Sequence, residues 1–437
     1  MNQKSRKTFT QKSEPLVPNI PRVLVVGTTT DYIDWIRCRC PERALFLTDP
    51  LMRYGSGQPN PAPHEEILCH LSDYDLAREK LKNHLRMWGL SIDGITSYDC
   101  ESMELTAFLA QEFSLNYSSL ESVCNCRDKF LSKTLWRQWD LECPRIRRLE
   151  SSKDAVEFLN DINAPCVLKP VSGSGSELVF YCENENDCER CYDEIFVGLT
   201  RQRENRLYRF SGGNGPLIIA EEFVAGKEFS CDFFLENGRT EVIRITRKIE
   251  DQQGPFGTTL GYILPASLPS GIDPTAFQRT LCQSARALGL KRALCMADFL
   301  IKDNTIMLLE MAPRPGGDCL PFLMRQRFRQ DMLKLNLDFA QLVPIRLPHL
   351  DGLDPYIGLC LRAKSGGVLR KIDISPLRQD PRIRDIDLRR TPGHVIRMPP
   401  ADYDSWLLGH IVFEPWKGRN LERQCVEVLD KVIIEVD

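Results

Sequence analysis

The sequence lacks any long apolar run: nowhere in its 437 residues does hydrophobic character persist for the roughly 18 positions a membrane-spanning helix needs. The opening stretch, MNQKSRKTFTQKSEPLVPNIP, is polar and slightly basic and has no signal-peptide apolar region, so residues 1–20 are expected to form a disordered tail. An excess of one charge is also missing. Lys and Arg number 57 against 60 Asp and Glu, for a net charge of −3 and a pI near 6.2, which argues against a dedicated nucleic-acid binder. There is no G-x-G-x-x-G, hence no dinucleotide fingerprint, and no internal repeat or low-complexity tract. What is present is ordinary globular composition, 42% hydrophobic and 27% charged, in a chain long enough for two to four domains. Without a secretion signal, the 17 scattered cysteines are expected to be reduced thiols in a cytoplasmic protein. Cys188-x-x-Cys191 has zinc or redox spacing, but no second CxxC or HxxxH stands at a matching distance. A structural zinc is therefore not expected, and most cysteines read as small packing residues.

Short strands at Arg22–Gly27, Ala44–Asp49 and Ile92–Tyr98 alternate with helical segments after Gly27 and at Leu76–Trp88 and Leu105–Glu112. That alternation predicts a small parallel α/β unit over residues 21–118. Ser119–Leu141 has the apolar spacing of one helix, and Ser151–Ile162 that of a second, capped one. Pro165–Tyr181 is a strand, a Gly/Ser loop and a strand, not the strand–loop–helix of a P-loop. Two strands follow in Leu217–Gly238, the second placing Glu228, Ser230 and Asp232 on one face. Thr240–Glu250 is a strand, Pro274–Gly289 a helix, and Pro321–Val343 a further helical stretch. The polar, Gly-rich segments at Gln202–Pro216 and Gln252–Tyr262 are expected to be mobile loops. From Asp354 on the composition shifts to short strands and turns, which reads as a separate, mostly β C-terminal domain.

The stretch ADFLIKDNTIMLLEMAPRPGGD, Ala297–Asp318, predicts a hairpin with Asp298 on one arm and Glu310 on the other. A loop centred on Asn304 sets residue 298 opposite residue 310, with Cβ atoms roughly 5 Å apart. Two ionised carboxylates at that distance repel by about 3 kcal/mol at an effective dielectric near 20. Such a pair calls for a cation, and oxygen ligands suit Mg²⁺ or Mn²⁺ better than zinc. Arg314, Gly316 and Gly317 follow with positive charge and backbone N–H groups suited to phosphate.

In order along the chain, Lys129, Lys169, the loop Ser172-Gly173-Ser174-Gly175-Ser176, the segment Glu221-Glu222-Phe223-Val224, Glu228, Asp298, Glu310 and Arg314 form a set that resembles the ATP-grasp superfamily of carboxylate–amine ligases. The resemblance runs from about Ser119 to Leu323. It implies an N-terminal pre-ATP-grasp α/β domain (21–118), a two-subdomain ATP-grasp domain (119–345) and a β-rich C-terminal domain (346–437) similar to those of L-amino-acid ligases and biotin-carboxylase-like members. It also implies roles. Lys129 and Lys169 meet the α- and β-phosphates of ATP, the Gly/Ser loop closes over them, Glu221–Val224 meets the adenine edge, and Glu228 the ribose. Asp298 and Glu310 hold Mg²⁺ or Mn²⁺, and Arg314 stabilises the transferring phosphoryl group. The expected activity is ADP-forming amide or peptide synthesis through an acyl phosphate, from small-molecule carboxylate and amine substrates, with Gly316, Gly317 and Asp318 near them and a homodimer as a family-level expectation. Bicarbonate, a purine intermediate or a carrier-protein thiol are the alternative acceptors. One departure stands out: where many members carry a metal-ligating Asn two residues after the second carboxylate, this chain has Ala312, which keeps a non-catalytic nucleotide-binding homologue among the readings.

Overall fold

A computed structural model describes residues 20–53, 58–208, 216–347 and 352–437. Residues 1–19 of the expected tail and 209–215 of the expected mobile segment lie outside it. The first unit comprises β1 (Arg22–Val26), α1 (Thr30–Arg39), β2 (Ala44–Thr48), β3 (Glu66–Leu68), α2 (Tyr74–Trp88), β4 (Ile92–Thr96) and α3 (Met103–Glu112). Its strands form a parallel sheet in the order β3-β2-β1-β4. Every residue of β1 is buried because helices cover both faces: Val23 and Val25 pack toward α1, Leu24 and Val26 toward α2 and α3.

The helix expected over Ser119–Leu141 is two helices, α4 (Leu120–Arg127) and α5 (Lys129–Gln138). The apolar spacing continues through the break, but Asp128 leaves helical geometry (ψ 102°), and its carboxylate accepts the Leu131 N–H as the cap of α5. Lys129 thereby becomes the first residue of a helix instead of a mid-helix residue.

A second unit follows: β5 (Ile146–Leu149), α6 (Ser152–Ile162), β6 (Cys166–Pro170), β7 (Phe180–Cys182), α7 (Glu185–Arg201) and β8 (Ile218–Glu222). Its antiparallel sheet has the order β5-β8-β6-β7, with α6 and α7 packed on it through one apolar core.

The largest sheet begins with β9 (Lys227–Glu236), β10 (Arg239–Glu250) and β11 (Thr259–Leu264); α8 (Pro274–Ala287), β12 (Ala293–Lys302) and β13 (Thr305–Ala312) come next. The helical stretch after Cys319 is again two helices, α9 (Leu320–Phe328) and α10 (Met332–Ala340), because Arg329 is left-handed (φ 54°) and Asp331 caps a fresh helix. The remaining elements are β14 (Tyr356–Arg362), β15 (Gly367–Asp373), α11 (Ser375–Arg378), β16 (Ile383–Leu388), β17 (Val395–Ile396), β18 (Leu407–Phe413), α12 (Leu421–Leu429) and β19 (Ile433–Val436). Eight strands join in the order β13-β12-β9-β10-β11-β14-β18-β16, with β11 pairing antiparallel to β14. The sheet thus runs unbroken from the central region into the β-rich C-terminal region.

Candidate active site

The Asp298–Glu310 hairpin forms, by a different route from the one the sequence suggested. Its turn is the two-residue Asp303-Asn304, both left-handed (φ 50° and 59°), closed by the pair Lys302–Thr305. Continued evenly, that register would set Asp298 against Leu309. A bulge between Asp298 and Phe299 inserts Leu309 as an extra residue, and the pairing resumes with Asp298 opposite Glu310. The bulge also turns the Leu309 carbonyl to Lys133, whose Nζ donates to it over 2.6 Å.

Four lysines surround the acidic groups. Lys129 Nζ donates to the Gly173 carbonyl (3.0 Å) and lies 3.4 Å from Glu310 Oε2. Lys169 and Lys133 hold the two oxygens of buried Glu221, each at 2.7 Å. Lys248 bridges Glu228 Oε1 (2.5 Å) and Asp298 Oδ2 (2.7 Å). Burial alone would raise Glu310, but Lys129, Lys248, Lys169 and Arg314 outweigh it and hold the carboxyl down at about 2. Burial pulls the Lys169 ammonium down to about 8, although Glu221 works against it. Glu228 is pushed up by burial, with Lys248 opposing and Asp298 adding to the rise. The donor set fits a hard cation: it is all oxygen, and Asp298 Oδ1 is buried with no hydrogen-bond partner among the described residues.

Lys133 and Lys248 escaped the sequence reading, though a signal existed for each. Lys133 is one turn after Lys129 on α5. Lys248 belongs to an alternating run on β10, Arg244, Thr246 and Lys248, whose register sets it against the alternating run on β9: Arg244 opposes Asp232 and Thr246 opposes Ser230. Basic residues on one strand facing acidic ones on the next is a cross-strand charge ladder.

Lys129, Lys169, Lys248, Glu228, Asp298 and Glu310 border one cavity of about 800 Å³, as do Ser172–Ser176, Glu221–Val224, Arg314, Gly316 and Gly317. The Gly/Ser loop is closed onto the second glycine-rich loop, with Ser176 Oγ donating to the Gly257 carbonyl over 2.8 Å. Tyr181, Phe223 and Phe256 cluster at the rim, their ring centroids 4.9–6.1 Å apart. Glu222 leans outward to Arg145 (3.1 Å).

At the other end, Arg314 is buried, with Nε on Cys100 Sγ (3.1 Å) and Nη1 on the Pro315 carbonyl (2.8 Å). Its Nη2 has no acceptor among the described residues. The Gly316 N–H, expected to face phosphate, instead donates to Asp232 Oδ1 (3.0 Å), itself gripped by fully buried Arg244. A Cβ at Gly316 would stand 2.2 Å from Arg244 Nη2, so only glycine fits over this pair. Gly317 has open space and lines the cavity. Asp318 accepts from Tyr262 and Cys360 (3.2 Å each) and pairs with His410 Nε2 at 2.6 Å. Ala312 packs in an apolar cluster with Met103, Ala107 and Val123 and supplies no oxygen.

Two antiparallel sheets thus hold a lysine- and carboxylate-lined cavity between a closed glycine-rich loop and an acidic hairpin. Residues 162–321 match the family model described as ATP-grasp domain, and the chain carries an ATP-grasp domain. Among curated proteins it is similar to D-alanine--D-alanine ligase of Acidovorax ebreus (strain TPSY), 27% identical over 202 residues, 43% of this chain and 54% of that protein. It is also similar to Homo sapiens carnosine synthase 1, 25% identical over 281 residues, 62% of this chain and 33% of that protein. The chain thus spans about half or less of the length of these relatives. Its fold is shared with L-amino acid ligase from Bacillus licheniformis (TM-score 0.74, 19% identity, 95% of this chain and 99% of that one). An ADP complex of N5-carboxyaminoimidazole ribonucleotide synthetase shares it too (TM-score 0.65, 14% identity, 94% and 96%).

Proposed function

We propose that the protein is an ATP-dependent carboxylate–amine ligase that joins an amino acid or a small peptide-like acid to an amine through an acyl phosphate, releasing ADP and phosphate. The observation that carries this reading is the Asp298–Glu310 pair facing Lys129, Lys169 and Lys248 within one cavity. Lys129 and Lys169 supply point charges for the α- and β-phosphates of ATP. The joined loops at Ser172–Ser176 and Gly257 exclude water from the phosphates, and the Glu221–Val224 strand end beside Phe256 and Tyr181 suits a flat base. Glu228 is the acceptor for ribose hydroxyls.

Asp298 and Glu310 would hold Mg²⁺ or Mn²⁺, which when bound spreads the charge developing on the phosphates. The substrate carboxylate oxygen attacks the γ-phosphorus, the bond to the bridging oxygen breaks, and ADP departs with the electron pair. Arg314, through Nη2, stabilises the transferring group. The amine then attacks the acyl carbon, the phosphate leaves with the C–O electron pair, and the nitrogen sheds its proton. The order follows from chemistry: a free carboxylate resists amine attack, whereas an acyl phosphate has a good leaving group.

ADP release measured across a panel of amino-acid pairs tests this. Release dependent on one pair, and lost by at least about a hundredfold in Asp298→Asn plus Glu310→Gln, is expected; release unchanged in that double variant would overturn the metal assignment. Product mass separates an amine acceptor from bicarbonate or a thiol. Ala312 favours a second reading, a nucleotide binder without turnover. Its mark would be tight ATP binding with no ADP formed in Mg²⁺ or Mn²⁺ across the whole panel.

A further inference from the structure

In the sequence, Cys188-x-x-Cys191 stands without a second pair at zinc spacing. The fold supplies one. Cys166 on β6 and Cys182 on β7 are directly opposed in the antiparallel pair, and both face the core under α7. Cys188 sits in the first turn of α7 and Cys191 one turn further along. All four are completely buried. The sulfurs of Cys166, Cys182 and Cys188 lie within 4.8 Å of one another, with Cys166 and Cys188 3.8 Å apart. Cys191 is buried in the same core one helical turn from Cys188, but its sulfur is not among the three that lie mutually within 4.8 Å.

Four sulfurs placed tetrahedrally at about 2.3 Å from a zinc ion stand roughly 3.8 Å from each other. We propose that Cys166, Cys182, Cys188 and Cys191 form a structural Zn²⁺ site, distinct from the carboxylate site in the cavity. Soft thiolates select zinc where the oxygen donors of Asp298 and Glu310 select a hard cation. Each ligating thiol gives up its proton to solvent as the metal binds, and the first-turn N–H groups of α7 offset part of the thiolate charge. Packing alone is a weaker account. A purely apolar core has no need of three converging thiols with a fourth buried one helical turn away, and Leu or Val would fill this one.

The site has a structural consequence. Cys166 and Cys182 stand on the two strands that flank the Gly/Ser loop, and Lys169 is three residues beyond Cys166. A zinc there clamps both ends of the phosphate loop to α7. The inference is independent of the ligase reading, because metal content is measured without any substrate.

The test is elemental analysis of the full chain purified without chelator or metal-affinity resin, combined with Co²⁺ exchange. About one zinc per chain, a tetrahedral cobalt spectrum with thiolate charge-transfer bands, and at least a severalfold loss of zinc in Cys191→Ser and Cys188→Ser are expected. A folded wild-type chain that carries only trace zinc, and takes up none after incubation with Zn²⁺ and desalting, overturns the proposal. So does a Cys166–Cys182 disulfide in a non-reducing peptide map. Should the variants fail to fold, the zinc content and cobalt spectrum of the wild type decide alone.

Discussion

Lys169 shows how one side chain joins stability to binding. It lies at the cavity edge of an otherwise apolar strand, and Glu221 holds its ammonium at 2.7 Å. Burial draws its proton affinity down to about 8, so near that pH it is charged only part of the time. A bound triphosphate restores the charged form, and binding at that pH is predicted to take up about half a proton. Calorimetry in buffers of different ionisation heat reads this directly. The apparent enthalpy depends on buffer in the wild type and loses that dependence in Lys169→Met, which also binds about 1.5–3 kcal/mol more weakly. Equal enthalpies in all buffers for the wild type would refute the assignment. Lys169 was legible in the sequence because an isolated lysine inside CVLKP is anomalous. Lys133 and Lys248 were not, because a lysine on a helix or in an alternating strand is ordinary until its neighbours in space are known.

At the scale of elements, local pattern carried the strands and the hairpin but not their breaks. The arms of the hairpin follow from two apolar runs and a polar turn. The bulge at Leu309 does not, because it leaves no mark in composition and is set by the neighbours, the Leu308 N–H bonding to the Glu142 carbonyl and the Leu309 carbonyl to Lys133. The break at Asp128 escaped for a similar reason: apolar spacing runs through it, and only the carboxylate acting as a cap marks it. That cap has a testable weight. Asp128 is buried, holds the Leu131 N–H at 2.8 Å and pairs with Arg148 at 2.5 Å. Asp128→Ala is predicted to cost about 1–2 kcal/mol in denaturant unfolding. It should also raise the KM for ATP, because Lys129 is then no longer fixed at a helix start. Asp128→Asn, which keeps a capping oxygen, should recover much of the stability. An Ala variant as stable as the wild type would mean that the break is held by packing alone.

Across the whole molecule, the β-rich C-terminal region was legible as a change in composition, but not its union with the central sheet, since pairing of β11 with β14 joins segments distant in sequence. The Asp318–His410 contact reinforces that union, linking the loop after the hairpin to β18. Burial would lower His410, yet Asp318 raises it to about 9; His410 in turn holds Asp318 well below the usual carboxylate range. The signs give a window. A histidine raised above its unfolded value near 6.5 stabilises fully below that value, and the contribution disappears as pH climbs through about 9. A depressed aspartate stabilises above its unfolded value near 4 and loses the contribution as pH falls below it. The pair is therefore strongest between about pH 4 and about pH 6.5. Thermal unfolding of the wild type is predicted to weaken from neutrality through about pH 9, and His410→Asn, uncharged throughout, should start lower and show a flatter decline. Parallel curves for the two proteins would show that the His410–Asp318 pair is not what couples the C-terminal strands to the site on the alkaline side.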